Sequence, residues 1–175
     1  AVKELEDESL VETGTVNIGT FTLESGIVLD QVHLAYEWAR RKDAPVVLVC
    51  HALTGNQFAI GNEQQDGWWS KLIGPKQFID TEKYNVLSFN VLGGCHGSTG
   101  ATSRNPKTGE VYRASFPTIT IRDMVNAEYA ALQALGIEEV QTVIGGSLGG
   151  MRTLEWGIMY PQFMKQLIPL AVTPS

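Results

Sequence analysis

The chain has 175 residues and a net charge of −6, with 43% apolar and 18% charged residues. That balance fits one globular domain, or part of a larger one, and makes intrinsic disorder a poor reading. The excess of acid argues against nucleic acid as a partner, which needs a basic face. The longest purely apolar run, Val46–Cys50, is far short of the roughly 20 residues of a membrane-spanning helix, so no membrane partner is expected.

Residues 1–13 are acidic, lack an apolar signal core, and read as a solvated tail ahead of a domain at 14–175. Val16–Leu23 alternates apolar and polar side chains, Ser25-Gly26 makes a turn, and a second alternating run follows with Val28, Val32, Leu34 and Tyr36. Two such runs about a glycine turn predict an antiparallel hairpin. Residues 40–45 are a charged loop. The pattern then changes to short continuous apolar runs, at Val46–Cys50, Asn85–Phe89, Val140–Ile144 and Leu167–Val172. Such runs suit strands buried on both faces of a parallel sheet.

A helix is predicted between the second and third runs. Thr120 and Asp123 make a capping-box pattern. Ile121, Met124, Val125, Ala131, Leu132 and Leu135 keep helical spacing, with Glu128 the one polar intrusion, and Gly136 ends it. A second helix is expected from about Leu148 to Tyr160, stopped by Pro161. Strands alternating with helices predict a mostly parallel α/β sheet. Two long loops, His51 to about Asp66 and Leu92 to Thr118, are functional candidates by their length.

The segment that carries chemistry is Val143-Ile144-Gly145-Gly146-Ser147-Leu148-Gly149-Gly150-Met151. Gly-x-Ser-x-Gly between a buried strand and a helix is the context of a nucleophile elbow. Small residues two before and two after the serine, Gly145 and Gly149, avoid a clash between strand and helix, and Gly146 and Gly149 should tolerate side chains poorly. The Leu148 N–H, at the helix start, can bind a developing oxyanion. A second donor would come from the loop after an earlier strand, where the Leu53 N–H is the candidate.

Other readings are weaker. Gly145-Gly146-x-x-Gly149 resembles part of a dinucleotide fingerprint, but no Asp or Glu follows Glu155 to hold a ribose. His33 is expected at the surface, and His51 as a residue that shapes its loop. Cys95 beside His96 lacks metal-site spacing, Cys50 should be a buried free thiol, and two cysteines make no disulfide framework. No metal and no bound cofactor are expected. Trp68-Trp69 reads as a packing anchor. The 28 residues after Ser147 contain one acid, Glu155, and no histidine. A Ser, then acid, then His order therefore does not close within residues 1–175, and the chain reads as the N-terminal part of a longer domain.

His51-Ala52-Leu53-Thr54-Gly55, Asp66-Gly67-Trp68-Trp69, the run Asn90–Gly100, and Gly145–Met151 followed by Leu154-Glu155-Trp156 occur in this order. With them the chain resembles the homoserine O-acyltransferases of the α/β-hydrolase superfamily. The resemblance implies an α/β-hydrolase fold, with Ser147 as nucleophile, Leu53 and Leu148 as backbone oxyanion donors and Thr54 as a substrate contact. It implies acetyl-CoA as co-substrate (acetyl and succinyl donors stay open) and transfer of the acyl group to L-homoserine in methionine biosynthesis. It further implies a cytoplasmic homodimer at full length, with the acid and base beyond residue 175. Leu148, Arg152 and Ala101 stand where the family often has Met, Gln and Pro. The alternatives are an esterase using water as acceptor and a non-catalytic α/β binding module.

Overall fold

The structure is a computed structural model that describes residues 2–4, 10–51, 57, 59, 73–94, 97–146 and 148–170, the side chains of 2–4, 10, 148 and 170 excepted. Its elements in chain order are β1 (Val2–Glu4), β2 (Leu10–Thr22), β3 (Val28–Arg40), β4 (Val46–Cys50), β5 (Ile73–Gly74), β6 (Ile79–Asp80), β7 (Asn85–Phe89), a 3₁₀ turn (Arg113–Ser115), α1 (Ile121–Ala134), β8 (Val140–Gly146), α2 (Leu148–Met159) and β9 (Met164–Leu170). Seven strands form one sheet in the order β1-β2-β3-β7-β4-β8-β9. The last four are parallel, and β1–β3 pair antiparallel at one side.

Burial on two faces explains the continuous apolar runs. Val46, Leu48 and Cys50 of β4 join one core cluster, together with Leu87, Phe89, Val125, Leu132 and Trp156. Val47 and Val49 join the other, with Val86, Ile73, Ile79 and Ile144. Alternate residues of a strand point to opposite faces, so a continuous apolar run such as that of β4 suits both. α1 starts where its chemistry predicts. The Thr120 hydroxyl accepts from the Asp123 N–H, and the Asp123 carboxylate accepts from the Thr120 N–H. The same carboxylate takes the Glu24 N–H at 2.8 Å, tying the hairpin turn to the helix. Gly136 closes α1 at φ +80°, a conformation that costs a Cβ-bearing residue.

Three expectations need correction. Residues 1–13 are not all tail: Val2–Glu4 pair with β2, and β2 begins at Leu10 opposite Arg40. The long β3 offers partners for these residues, and Val11 is buried against it. The last strand lies at Met164–Leu170, earlier than the apolar run suggests, because Met164 pairs with Val140 at the start of β8. His33 is half-buried, its backbone bonded to Thr99 through both N–H and C=O. The two-residue ladder of β5 and β6 was not foreseen.

Candidate nucleophile elbow

The order β7-β4-β8 sends α1 across β4 and sets the C-terminal end of β4 between those of its two neighbours. In open α/β sheets such reversals of strand order make the ligand-binding crevice at the carboxyl edge. In register, Cys50 at the end of β4 faces Gly145 of β8. α2 begins at Leu148, directly after the serine. The strand–serine–helix context read from the sequence is therefore present. Ser147 itself, Leu53, Thr54, Trp68, Trp69, Cys95 and His96 lie outside the described residues. Leu148 is placed as the first residue of α2, where N–H groups have no partner within the helix.

The flanking glycines are explained by contact. A Cβ on Gly149 would lie 2.2 Å from the Cys50 carbonyl oxygen and 2.8 Å from that of His51. A Cβ on Gly145 would lie 2.4 Å from the Gly149 carbonyl oxygen and 2.6 Å from Thr153 Oγ1. Neither glycine has a left-handed φ. Gly149 is intolerant, as expected, because the first turn of α2 rests on the end of β4; Gly146 adjoins Ser147, beyond what is described. Gly145, the small residue two before the serine, is under the same constraint, as expected.

The loop after β7 is built from backbone contacts. Asn90 N–H donates to the Ala35 carbonyl, Ser98 Oγ–H to the Asn90 carbonyl, and Gly93 N–H to the Thr99 carbonyl. A Cβ on Gly94 or Gly100 would meet an atom at 2.7 Å in each case. These glycines serve the folding of the loop on itself and on β3. A cleft of about 420 Å³ beside it is lined by His33, Thr99, Arg104 and Tyr112 among others, and by no residue of β4, β8 or α2.

His51 is buried at the end of β4, and its ring Nε2 accepts the Val91 N–H at 3.3 Å. A ring nitrogen so engaged carries no proton and is not free to take one from a serine. His51 therefore shapes its loop, as expected. Glu155 pairs with Arg122 at 2.7 Å on the partly exposed helix surface. Cys50 is a buried free thiol, pushed up to about 11 chiefly by burial. The sequence reading missed a buried ion pair: Arg152 Nε lies 3.2 Å from Glu128 Oε2, with side chains 2% and 0% exposed. Burial, opposed by Arg152, pushes the Glu128 carboxyl up to about 7. No cluster of three or more metal-ligating side chains occurs among the described residues, nor is any helix there long and apolar enough to cross a membrane.

Residues 45–174 match the family model described as alpha/beta hydrolase fold. Homoserine O-acetyltransferase of Methanosarcina acetivorans is 47% identical over 163 residues, which are 90% of this chain and 30% of that protein. Among solved structures, esterase E22 superposes with a TM-score of 0.81 at 33% identity, over 90% of this chain and 46% of that one. The homoserine O-acetyltransferase from Bacillus anthracis gives a TM-score of 0.80 at 30% identity, over 88% and 44%. The chain spans 30 to 47% of the length of the curated relatives it matches.

Proposed function

Because that model covers most of its residues, the chain belongs to the α/β-hydrolase fold family, and we propose that it carries the nucleophile half of a homoserine O-acetyltransferase site. The observation that carries the reading is the glycine-mediated seating of α2 on the end of β4, which brings the helix that starts after Ser147 against the Cys50 and His51 carbonyls. The shared name of relatives at 45–49% identity supplies the substrate class.

On this proposal Ser147 Oγ attacks the thioester carbon of acetyl-CoA while a base takes its proton. The carbonyl oxygen becomes an oxyanion, held by the Leu148 and Leu53 N–H groups. The C–S bond breaks, and CoA leaves as the thiol once protonated. The homoserine hydroxyl then attacks the acyl-serine, gives up its proton to the same base, and releases free Ser147 and O-acetylhomoserine. His51 is engaged through Nε2, and the base and its orienting acid are assigned, as the family resemblance implies, to the part of the relatives' length that this chain does not span. Acetyl-CoA is a co-substrate here and no cofactor is required. Thr54 is assigned to substrate contact; a role in methionine biosynthesis, a cytoplasmic location and a homodimer belong to the same proposal through the family resemblance.

The structural likeness to esterase E22 supports a second reading, in which water replaces homoserine as acceptor. Acetyl-CoA with the full-length protein decides between them. Acyl transfer predicts CoA release that depends on homoserine, parallel initial-rate plots, and an acetyl group on Ser147 before homoserine is added. Intersecting plots or an unmodified Ser147 would overturn the two-step reading. Equal CoA release with and without homoserine would favour the esterase.

A further inference from the structure

The interior holds one arrangement that this chemistry does not use. Arg152 of α2 and Glu128 of α1 form an ion pair with almost no exposure. Charges buried this deeply are costly, and apolar residues of similar volume often serve stability as well or better. Besides Glu128, Arg152 holds the main chain: its Nη1 donates to the His51 carbonyl at 2.9 Å. His51 is the first residue after β4 and stands two before Leu53, while Arg152 stands five after Ser147 and four after Leu148. One guanidinium thus joins the two backbone segments that carry the proposed oxyanion donors. Nη1 alone is hydrogen-bonded, while Nε meets Glu128 as an ion pair rather than a hydrogen bond. His51 is held a second time, through its ring, by the Val91 N–H. The other titratable group at this spot, the Cys50 thiol, stays protonated.

Resting on the acyl-serine reading, we propose that Arg152, oriented by Glu128, is a positioning residue that holds the loop after β4 at the separation from α2 which a two-donor oxyanion hole requires. It acts through the His51 carbonyl and the backbone that follows. Losing one oxyanion donor costs about 100- to 1,000-fold in turnover, and a shift of about 1 Å in a reacting group costs about 100-fold. Releasing the loop should therefore cost at least about tenfold.

The test is Glu128→Leu with Arg152→Met in the full-length protein, which removes both buried charges while roughly keeping their volume. Two readouts are taken: the melting temperature, and the rate at which a fluorophosphonate probe labels Ser147. Labelling needs the nucleophile and the oxyanion hole but neither acetyl-CoA nor homoserine, so it does not depend on the assigned substrates. The expected result is a melting temperature at or above that of the parent, with labelling slowed at least about tenfold. Arg152→Lys, which keeps a donor and the charge, should label between the two. A double variant that melts and labels like the parent would overturn the proposal. So would one that melts far below it, since the pair would then be a stability element, and so would a parent protein that the probe does not label. A parent that labels rapidly but transfers no acetyl group to homoserine would sink the acyltransferase reading and leave the positioning role standing.

Discussion

Gly149→Ala separates two effects of opposite sign. Gly149 sits inside α2 with no left-handed φ. By helix propensity alone, alanine there should stabilise the protein by about 0.5–1 kcal/mol. The contact predicts the reverse. The new Cβ would lie 2.2 Å from the Cys50 carbonyl oxygen, 2.9 Å from the carbon of that carbonyl and 2.8 Å from the His51 oxygen. All three are main-chain atoms, and Cys50 is fixed in the sheet between β7 and β8. No side chain can swing aside. α2 must lift by about 1 Å to restore ordinary contact, and overpacking of this kind costs about 1–3 kcal/mol. A net loss near 3 kcal/mol is expected, since rigid backbone gives least. The same lift would carry Ser147 with it, and a displacement of about 1 Å costs about 100-fold in rate. Thermal melts and fluorophosphonate labelling of the full-length variant measure both. A raised melting temperature with normal labelling would refute the close packing of α2 on β4.

Ser147→Ala should leave the melting temperature nearly unchanged and reduce acetyl transfer by at least about 1,000-fold; residual turnover near that of the parent would remove the serine from the mechanism. Glu128 should make stability fall as pH rises. Its carboxyl is held near 7 against an ordinary 4.5, so the folded state binds the proton more tightly. That contribution is full below about pH 4.5 and lost as pH passes 7. Glu128→Gln should abolish this dependence, so the stability gap between parent and variant should move by about 2–3 kcal/mol, against the parent, from pH 5 to pH 8 in urea denaturation. A constant gap would show that Arg152 keeps Glu128 ionised throughout.

The elements that sequence reveals well are those whose signals are local. The capping box of Thr120 and Asp123 and the φ +80° of Gly136 bracket α1 within one residue. The apolar run of β4 coincides with its strand because both faces are buried, and β7 is as deeply buried but admits Ser88 and Asn85, the latter bonded to the Arg41 and Ala44 carbonyls. What escaped depends on partners distant in the chain. Leu10 and Val11 are strand residues because Arg40 and Ala39 lie opposite them, whereas the neighbouring acids suggest a solvated tail. The start of β9 at Met164 is set by pairing with Val140, not by its own composition. β5 and β6, two residues each, are too short to show any period.

The site divides the same way. The Gly-x-Ser-x-Gly turn is contiguous, so its strand and helix could be read directly. Glu128 and Arg152 were each visible alone, one as a polar break in an apolar stripe and the other as a departure beside the elbow. Nothing in a linear pattern joins residues on two helices to the His51 carbonyl. The contact of Arg152 with the residue that follows β4 also complements the glycines. The missing Cβ of Gly149 lets α2 approach the Cys50 and His51 carbonyls, and further approach is blocked by main-chain contact. The Arg152–His51 hydrogen bond opposes separation, because an N–H···O bond weakens quickly beyond about 3.2 Å. A steric floor and a hydrogen-bond ceiling thus bear on the same gap. Substitutions at Gly149 and Arg152 should consequently be non-additive in labelling rate, since either one frees the separation that the other helps to fix.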